Sequence, residues 1–577
     1  MPRRVGKFIE SGIRRLLSRR LGKAAHAAWR DGDIGRAVRT YERAIAVNRK
    51  DVESMGELAA LYLGFGRHDE ALSLLQTALR LDPSIPGLHV NLGNLRLMQG
   101  NFPDAIDAYH HALNLDRSNY SAYGNCFRAH MEMCDWAGFE KHFQGLLDLR
   151  QAGDPTWVNR ISAYMSLLVP LDRGAQLEVA KHAARDYEVA PGRAWADTAL
   201  RSPGARLRVG YLSCDFHDHA TMHLAAGLFG KHDRSRVEVF AYSMGQESSS
   251  PLVDRVRVGC DKFRDIANLS ALEAAQLIRR DGIDILVDMK GYTGGSRPEI
   301  SAMRPAPIQV SFLGYPGTMG ARFIDYIVAD KEVIPEAHFG DYTERVIWMP
   351  NSYQVTDNEQ PISAVKRSRA DCGLPDAEFV FCSFNQSYKI DRRTFNCWMR
   401  ILHRVPRSVL WLMANNPFAV ARLSAAAAMA GVAPARLIFA RPEDKTHHLA
   451  RLGLADLMLD TFVVNAHTTT TDALWAGLPV LTLQGDTFAS RVAASVLTAC
   501  GTEQTVCKTE GEYEDAAVAL ATDNGRLGAI RSQLKDRAST RLFDTDNYVS
   551  DLENAFDIIG GLRNAGEQPR HVAVTTI

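Results

Sequence analysis

The chain has 577 residues, 46% of them hydrophobic and 23% charged, with Lys+Arg and Asp+Glu balanced at 67 each. That length exceeds one core of about 100–200 residues, so about three units are expected. Zero formal net charge argues against a nucleic-acid binder, and the ordinary composition argues against long disorder or a fibrous repeat.

No run reaches the roughly 18 apolar residues of a membrane span. The nine cysteines are scattered, with no C-x-x-C pair. This spacing argues against a disulfide framework and a zinc site, and makes a reducing cytoplasm the expected compartment.

Residues 1–20 read as a basic, amphipathic N-terminal helix with Phe8, Ile9, Ile13, Leu16 and Leu17 as its apolar positions. It lacks the continuous apolar stretch of a secretory signal. It is expected to open the helical array that follows, the alternative being a helix that docks on a membrane surface or partner.

Residues 21–150 carry a repeat. Gly32, Gly66 and Gly100 are 34 apart, as are Ala37, Ala71 and Ala105, then Ala44, Ala78 and Ala112, and Tyr41, Leu75 and Tyr109. Four series in one register have the period of the tetratricopeptide helix pair. The glycine closes the turn, the alanines let two helices approach, and the large residue fills the groove between them. Helix pairs are predicted over 20–48, 49–82 and 83–116, with a degenerate fourth in which Cys134 takes the glycine place. Such arrays present a concave surface that commonly binds peptide, the alternative being a purely structural role. Residues 151–204 read as a helical linker ending near Arg201-Ser202-Pro203-Gly204.

From 205 short β-branched runs alternate with amphipathic helices. Strands are predicted over 206–212, 237–242, 283–287, 308–313 and 326–329, then over 379–384, 409–413, 437–439, 457–459, 480–483 and 505–506. Helices are predicted between them, among them 270–280, 393–403 and 488–498. The alternation implies parallel sheets covered on both faces, with ligands at the carboxyl ends of the strands. The lobes are expected over 205–370 and 371–560, with a tail over 561–577. Neither a G-x-G-x-x-G turn after a first strand nor a Walker loop is present, so any phosphate must be held differently.

Three loops carry the chemistry. In NAHTTTTDALWAGLPVL, His467, Thr468 and Thr469 stand at a helix N-terminus, a ready diphosphate site, with Asp472 one turn on for ribose hydroxyls. In SFNQSYKID, Lys389 can neutralise charge on a leaving diphosphate, Gln386 can donate to the same phosphates, and Tyr388 offers an aromatic wall. In SCDFHDHATMHL, Asp215, His217, Asp218, His219 and His223 crowd one loop. No Cys or Glu cluster completes a zinc set there, so a polar cleft wall is favoured over a metal. Asp544-x-Asp546 and Asp31-x-Asp33 resemble a metal-binding D-x-D but fall in helical stretches, and are discounted.

The stretches RLRVGYLSCDFHDHATMHL, RPAPIQVSFLGYPGT, FNQSYKID, LADLMLDTFVVNAHTTTTDALWAG and FASRVAAS, in this order, resemble the O-GlcNAc transferases of glycosyltransferase family 41. The resemblance covers roughly residues 20–560 and is to a bacterial-type member with a short array. It implies a two-lobed GT-B fold, two Rossmann-like lobes preceded by an all-α tetratricopeptide superhelix. It further implies inverting, metal-independent transfer of GlcNAc from UDP-GlcNAc to Ser or Thr of a protein acceptor, with no cofactor. Carried over by position, it implies His219 near the sugar and Lys389 on the diphosphate, with Gln386 beside it and Tyr388 toward the acceptor. Lys445, His448 and Arg451 of RPEDKTHHLARL fall at uridine contacts, and His467, Thr468, Thr469 and Asp472 at the pyrophosphate and ribose. Leu313 and Gly314 fall at the sugar. His219 is assigned as positioning or assisting rather than as the base.

The chain departs from the animal enzymes in its short array and in their ladder of asparagines, since Asn91 corresponds to Glu57 and Lys23. Residues 350–370 leave no room for an intervening domain, and Lys290 stands where an animal enzyme has Asn. Transfer of glucose or fucose on the same fold, or an inactive scaffold, are the alternatives.

Overall fold

The computed structural model describes residues 2–30, 32–188, 195, 205–245, 248–413 and 416–575, with side chains from residue 12 on except at 30. The end of the expected linker at 201–204, Asp31, and the side chains of Phe8 and Ile9 lie outside the described residues. The chain divides into two compact units, Met1–His130, Ala137–Ile161 and Asn268–Gln276 in one, and Met131–Trp136, Ser162–Ala267 and Leu277–Ile577 in the other.

The first unit is built on antiparallel helix pairs. Its helices run α1 (Pro2–Arg30), α2 (Ile34–Val47), α3 (Val52–Gly64), α4 (His68–Leu81), α5 (Pro86–Met98), α6 (Phe102–Leu115), α7 (Tyr120–Glu132) and α8 (Trp136–Gln151). The basic segment is continuous with the first array helix, and Ile13 and Leu16 on it are exposed. Gly32, Gly66 and Gly100 turn at φ 76°, 70° and 72°, and Cys134 takes the same left-handed turn at φ 52°. Ala37, Ala71, Ala105, Ala44, Ala78 and Ala112 are fully buried, with Tyr41, Leu75 and Tyr109 packed between helices. The 34-residue register thus places every repeated residue in the role its size dictates. Asn91 donates to the Gly56 carbonyl and Asn125 to Asn94 Oδ1, so these asparagines hold neighbouring helices.

The second unit contains two parallel sheets. The strands are β1 (Leu207–Ser213), β2 (Val237–Ser243), β3 (Lys262–Asp265), β4 (Ile285–Asp288), β5 (Ile308–Ser311), β6 (Tyr326–Ala329), β7 (Arg345–Trp348), β8 (Phe379–Ser383), β9 (Ser408–Met413), β10 (Leu437–Ala440), β11 (Leu457–Leu459), β12 (Val480–Leu483), β13 (Val506–Cys507) and β14 (Val572–Ala573). The first sheet has the order β14-β7-β6-β5-β4-β1-β2-β3, and the second β10-β9-β8-β11-β12-β13. β4, β5 and β6 are buried at every residue, as strands covered on both faces must be. Val209 aligns with Val239 on one side and Ile285 on the other, and Phe381 with Leu410 and Leu457.

The chain order reverses beside β1 in the first sheet and beside β8 in the second. Such switch points open a crevice at the carboxyl ends of the two diverging strands. The loops after β1 and β4 therefore meet in one lobe, and those after β8 and β11 in the other.

The structure differs from the sequence reading at the edges and at the C-terminus. β3, β7 and β14 were not predicted. The helix Thr545–Asn564, read as the end of the second lobe, packs Tyr548, Val549, Leu552, Phe556 and Ile559 into the core of the first sheet. The segment read as a tail adds β14 to that sheet beside β7. The helix predicted over 488–498 is a short 3₁₀ turn, Phe488–Ser490, followed by Val492–Ala499.

Candidate active site

A cavity of about 470 Å³ opens between the two crevices within this unit. Its wall includes His217, His219, Leu313, Gly314, Tyr388, Lys389, His467 and Thr468 from the predicted loops. Among the described residues, Gln386, Thr469, Lys445, His448, Arg451 and Asp472 are outside that wall.

On the first lobe, His219 caps the helix Ala220–Ala225, its Nδ1 accepting from the Thr221 amide at 3.2 Å. Asp215 Oδ2 lies 3.3 Å from the same nitrogen. Lys290, from the loop after β4, donates to both Asp215 oxygens at 2.7 and 2.9 Å, and the Thr221 hydroxyl donates to Oδ2 at 3.1 Å. Both members of this ion pair are buried. Burial lowers His219 below the ordinary imidazole value, with Asp215 opposing and Lys290 adding. The ring is neutral at pH 7. His223 pairs with Asp218 at 2.8 Å.

Another part of the cavity wall depends on a constrained turn. Leu313 has φ 68°, and a Cβ on Gly314 would stand 2.0 Å from the Met289 carbonyl oxygen. The chain passes so close to the end of β4 there that only glycine fits.

On the second lobe, Asp460 organises the loop after β11. It accepts from the Thr461 and Ala466 amides and the Thr482 hydroxyl. Burial raises it to about 6. This loop aims the Asn465 carbonyl at Lys389, whose Nζ donates to it at 2.9 Å. Burial lowers Lys389 to about 8, with Asp460 opposing. The ammonium is thus charged at neutral pH and held by one neutral acceptor.

His467 begins the helix Thr468–Trp475, and no side chain caps that N-terminus. Its Nε2 donates to the Ala489 carbonyl at 3.1 Å, and burial lowers the ring to about 3, Lys389 contributing. The Thr470 hydroxyl is used by Ala466 O and the Thr471 hydroxyl by Gln354. Thr468 and Thr469 stay half-buried at the helix end, beside its partial positive charge.

In the stretch read as a uridine site, Arg451 is held by the protein itself. Its side chain is 2% exposed, donating to His448 Nδ1 at 3.0 Å and the Arg441 carbonyl at 2.6 Å. It orients His448 with the proton on Nε2. Burial lowers His448 to about 3, with Arg451 and Lys445 adding. Lys445 is ion-paired to Asp472, the residue read as a ribose acceptor.

Sequence reasoning missed part of the wall. Tyr164, Leu167 and Leu168 come from the helix Ala163–Leu168, inside the stretch read as a linker. The Tyr315 hydroxyl donates to the Ala163 carbonyl and fixes that helix against the Leu313–Gly314 turn. The discounted Asp544-x-Asp546 is otherwise occupied: Asp544 caps the helix Thr545–Asn564, and Asp546 accepts from Lys231 at 2.7 Å.

Comparisons with known proteins agree with this geometry. The model of glycosyl transferase family 41 matches residues 133–367 and 355–552, and a tetratricopeptide repeat model matches 23–86 and 57–122. The probable UDP-N-acetylglucosamine–peptide N-acetylglucosaminyltransferase SEC of Arabidopsis thaliana is 36% identical over 459 residues, 77% of this chain and 47% of the relative. The UDP-N-acetylglucosamine–peptide N-acetylglucosaminyltransferase of Caenorhabditis elegans is 31% identical over 552 residues, 74% of this chain and 48% of the relative. The chain thus spans about half the length of these curated relatives. A solved structure of a Thermobaculum terrenum O-GlcNAc transferase mutant superposes with a TM-score of 0.71 at 30% identity, over 95% of this chain and 98% of that one. Helical repeats followed by two parallel-sheet lobes in the GT-B arrangement, together with a family model spanning both lobes, place this chain in glycosyl transferase family 41.

Proposed function

We propose that this chain transfers N-acetylglucosamine from UDP-GlcNAc to Ser or Thr hydroxyls of protein acceptors, inverting the anomeric carbon without a metal ion or cofactor. The observation that carries the reading is the pairing of Lys389 with the uncapped helix end at His467–Thr468 on one cavity wall. An ammonium and free helix amides together supply the positive charge that a departing diphosphate needs. The names of the relatives agree with a UDP-sugar donor and a peptide acceptor.

In this reading the acceptor oxygen attacks the anomeric carbon from the face opposite the diphosphate. The new C–O bond forms as the bond to UDP breaks, and Lys389 neutralises the charge gained by the β-phosphate. We assign the neutral His219 its proton on Nε2, because the Thr221 amide can only donate to Nδ1 and Asp215 already accepts from Lys290, Thr221 and Cys214. His219 then donates toward the sugar or acceptor and positions it. The acceptor proton passes to a donor phosphate oxygen as that oxygen becomes more basic. The groove of the helical array holds the acceptor polypeptide.

Calorimetric titration of the purified chain with UDP, GDP and UDP-GlcNAc tests the reading, with and without added Mn²⁺ or Mg²⁺. UDP binding independent of the added ion and abolished by His467→Ala is expected. Preference for GDP, or no nucleotide binding, overturns it.

A further inference from the structure

The helical unit contains a second constellation that sugar transfer does not use. His110 comes from α6, Cys126 and His130 from α7, and His142 from α8, and their ligand atoms all lie within 4.8 Å of one another. We propose that these four residues form a closed site for zinc that fastens the last helices of the array.

The distances fit the ion. His110 Nε2 and His142 Nε2 are 3.3 Å apart, and Cys126 Sγ is 3.5 Å from His142 Nε2 and 3.9 Å from His110 Nε2. A tetrahedron with Zn–N of about 2.0–2.1 Å and Zn–S of about 2.3 Å has edges of roughly 3.3 Å between nitrogens and roughly 3.6 Å between nitrogen and sulfur. Three of the four donors therefore already stand near tetrahedral corners, and His130, one helical turn from Cys126, supplies the fourth. No carboxylate belongs to the set, which selects zinc over calcium or magnesium.

The surroundings support a structural site. Cys126 and His130 are buried while His110 is exposed, which gives an entry path and a dry interior. His142 is held from behind, because Tyr123 donates to its carbonyl at 2.8 Å and packs edge-on against its ring. Burial and the neighbouring imidazoles lower His142 to about 4, leaving a neutral ring with a lone pair to give. Four protein ligands leave no open position, as in sites that stabilise a fold rather than activate water.

The test uses the full chain, stripped of metal and kept reduced, titrated with Zn²⁺ alone against a chromophoric chelator and separately with Co²⁺. One equivalent should bind. The Co²⁺ form should show intense tetrahedral bands and a thiolate charge-transfer band that Cys126→Ser removes while the far-ultraviolet dichroism stays unchanged. His142→Ala should weaken Zn²⁺ by at least about tenfold. A substoichiometric wild-type titration, a weak octahedral Co²⁺ spectrum, or wild-type affinity retained in Cys126→Ser and His142→Ala overturns the site. Should a variant fail to fold, the wild-type Co²⁺ spectrum decides, because a site without Cys126 has no charge-transfer band.

Discussion

Lys290 Nζ bridges both carboxylate oxygens of Asp215, and so removes from His219 the anion best placed to make it a base. The pair is buried, and breaking such a pair by removing one partner typically costs about 3–5 kcal/mol. Lys290→Met should therefore lower the thermal midpoint of the two-lobed unit. It should also raise the value at which His219 titrates, because Lys290 pushes it down and Asp215 pushes it up. Carbethoxylation rate of His219 against pH reads the second effect. A downward move would refute the electrostatic account.

The role of His219 as a donor rather than a base has its own consequence. A glutamine can present an N–H but cannot take a proton at neutral pH. His219→Gln should retain more turnover than His219→Phe, whose loss should be on the order of 10²-fold, the usual cost of one positioned donor. Equal loss in both variants would refute the donor role.

Lys389 titrates where the reaction can be studied. Burial lowers it to about 8, so in the free protein its charge is present below that value and is lost as pH rises through it. A bound diphosphate favours the charged form and raises the value in the complex. UDP affinity should therefore be level below pH 8 and fall by up to about tenfold per unit above it. Lys389→Arg should flatten that fall, since guanidinium keeps its charge, and Lys389→Ala should remove most transfer while leaving the fold intact. An identical pH slope in Lys389→Arg would assign the titration to another group.

The parts of this molecule that repeat or alternate were legible in its sequence, and the parts that depend on distant residues were not. A fixed period placed Gly66, Ala71 and Leu75 correctly because each repeat solves the same packing problem. The segments that carry Lys389 and His467 were legible as connections that follow buried strands. β3 escaped because KFRD is a charged edge strand, and β14 because two residues carry no pattern. The Lys290–Asp215 pair spans 75 residues, and no local spacing announces it. The partners of Arg451 were not legible, because a helical period does not say which neighbour will bury a long cation. The Cys126 and His130 pair, one turn apart on α7, was the available sign of the metal cluster, but its partners lie 16 residues to either side on other helices.

The narrowest constraint in the cavity wall is the approach of Gly314 to β4. A Cβ there would stand 2.0 Å from Met289 O and 3.1 Å from Met289 C, both backbone atoms that no rotamer change can move. Leu313 already occupies a left-handed conformation, at φ 68°, so the turn has little freedom to back away. Gly314→Ala must then displace the end of β4, and with it Lys290, the next residue after Met289. Transfer should fall by at least about tenfold, since small misplacements at a reacting centre are costly. UDP affinity should change little, because Lys389 and the helix end at Thr468 belong to the other lobe. Gly294→Ala is the control: it lines the same cavity, yet its Cβ would meet nothing within 4 Å. Parallel measurement of turnover and UDP affinity in both variants separates the cases. Full turnover in Gly314→Ala would show that the turn can relax and that the sugar-side wall is not set by this contact.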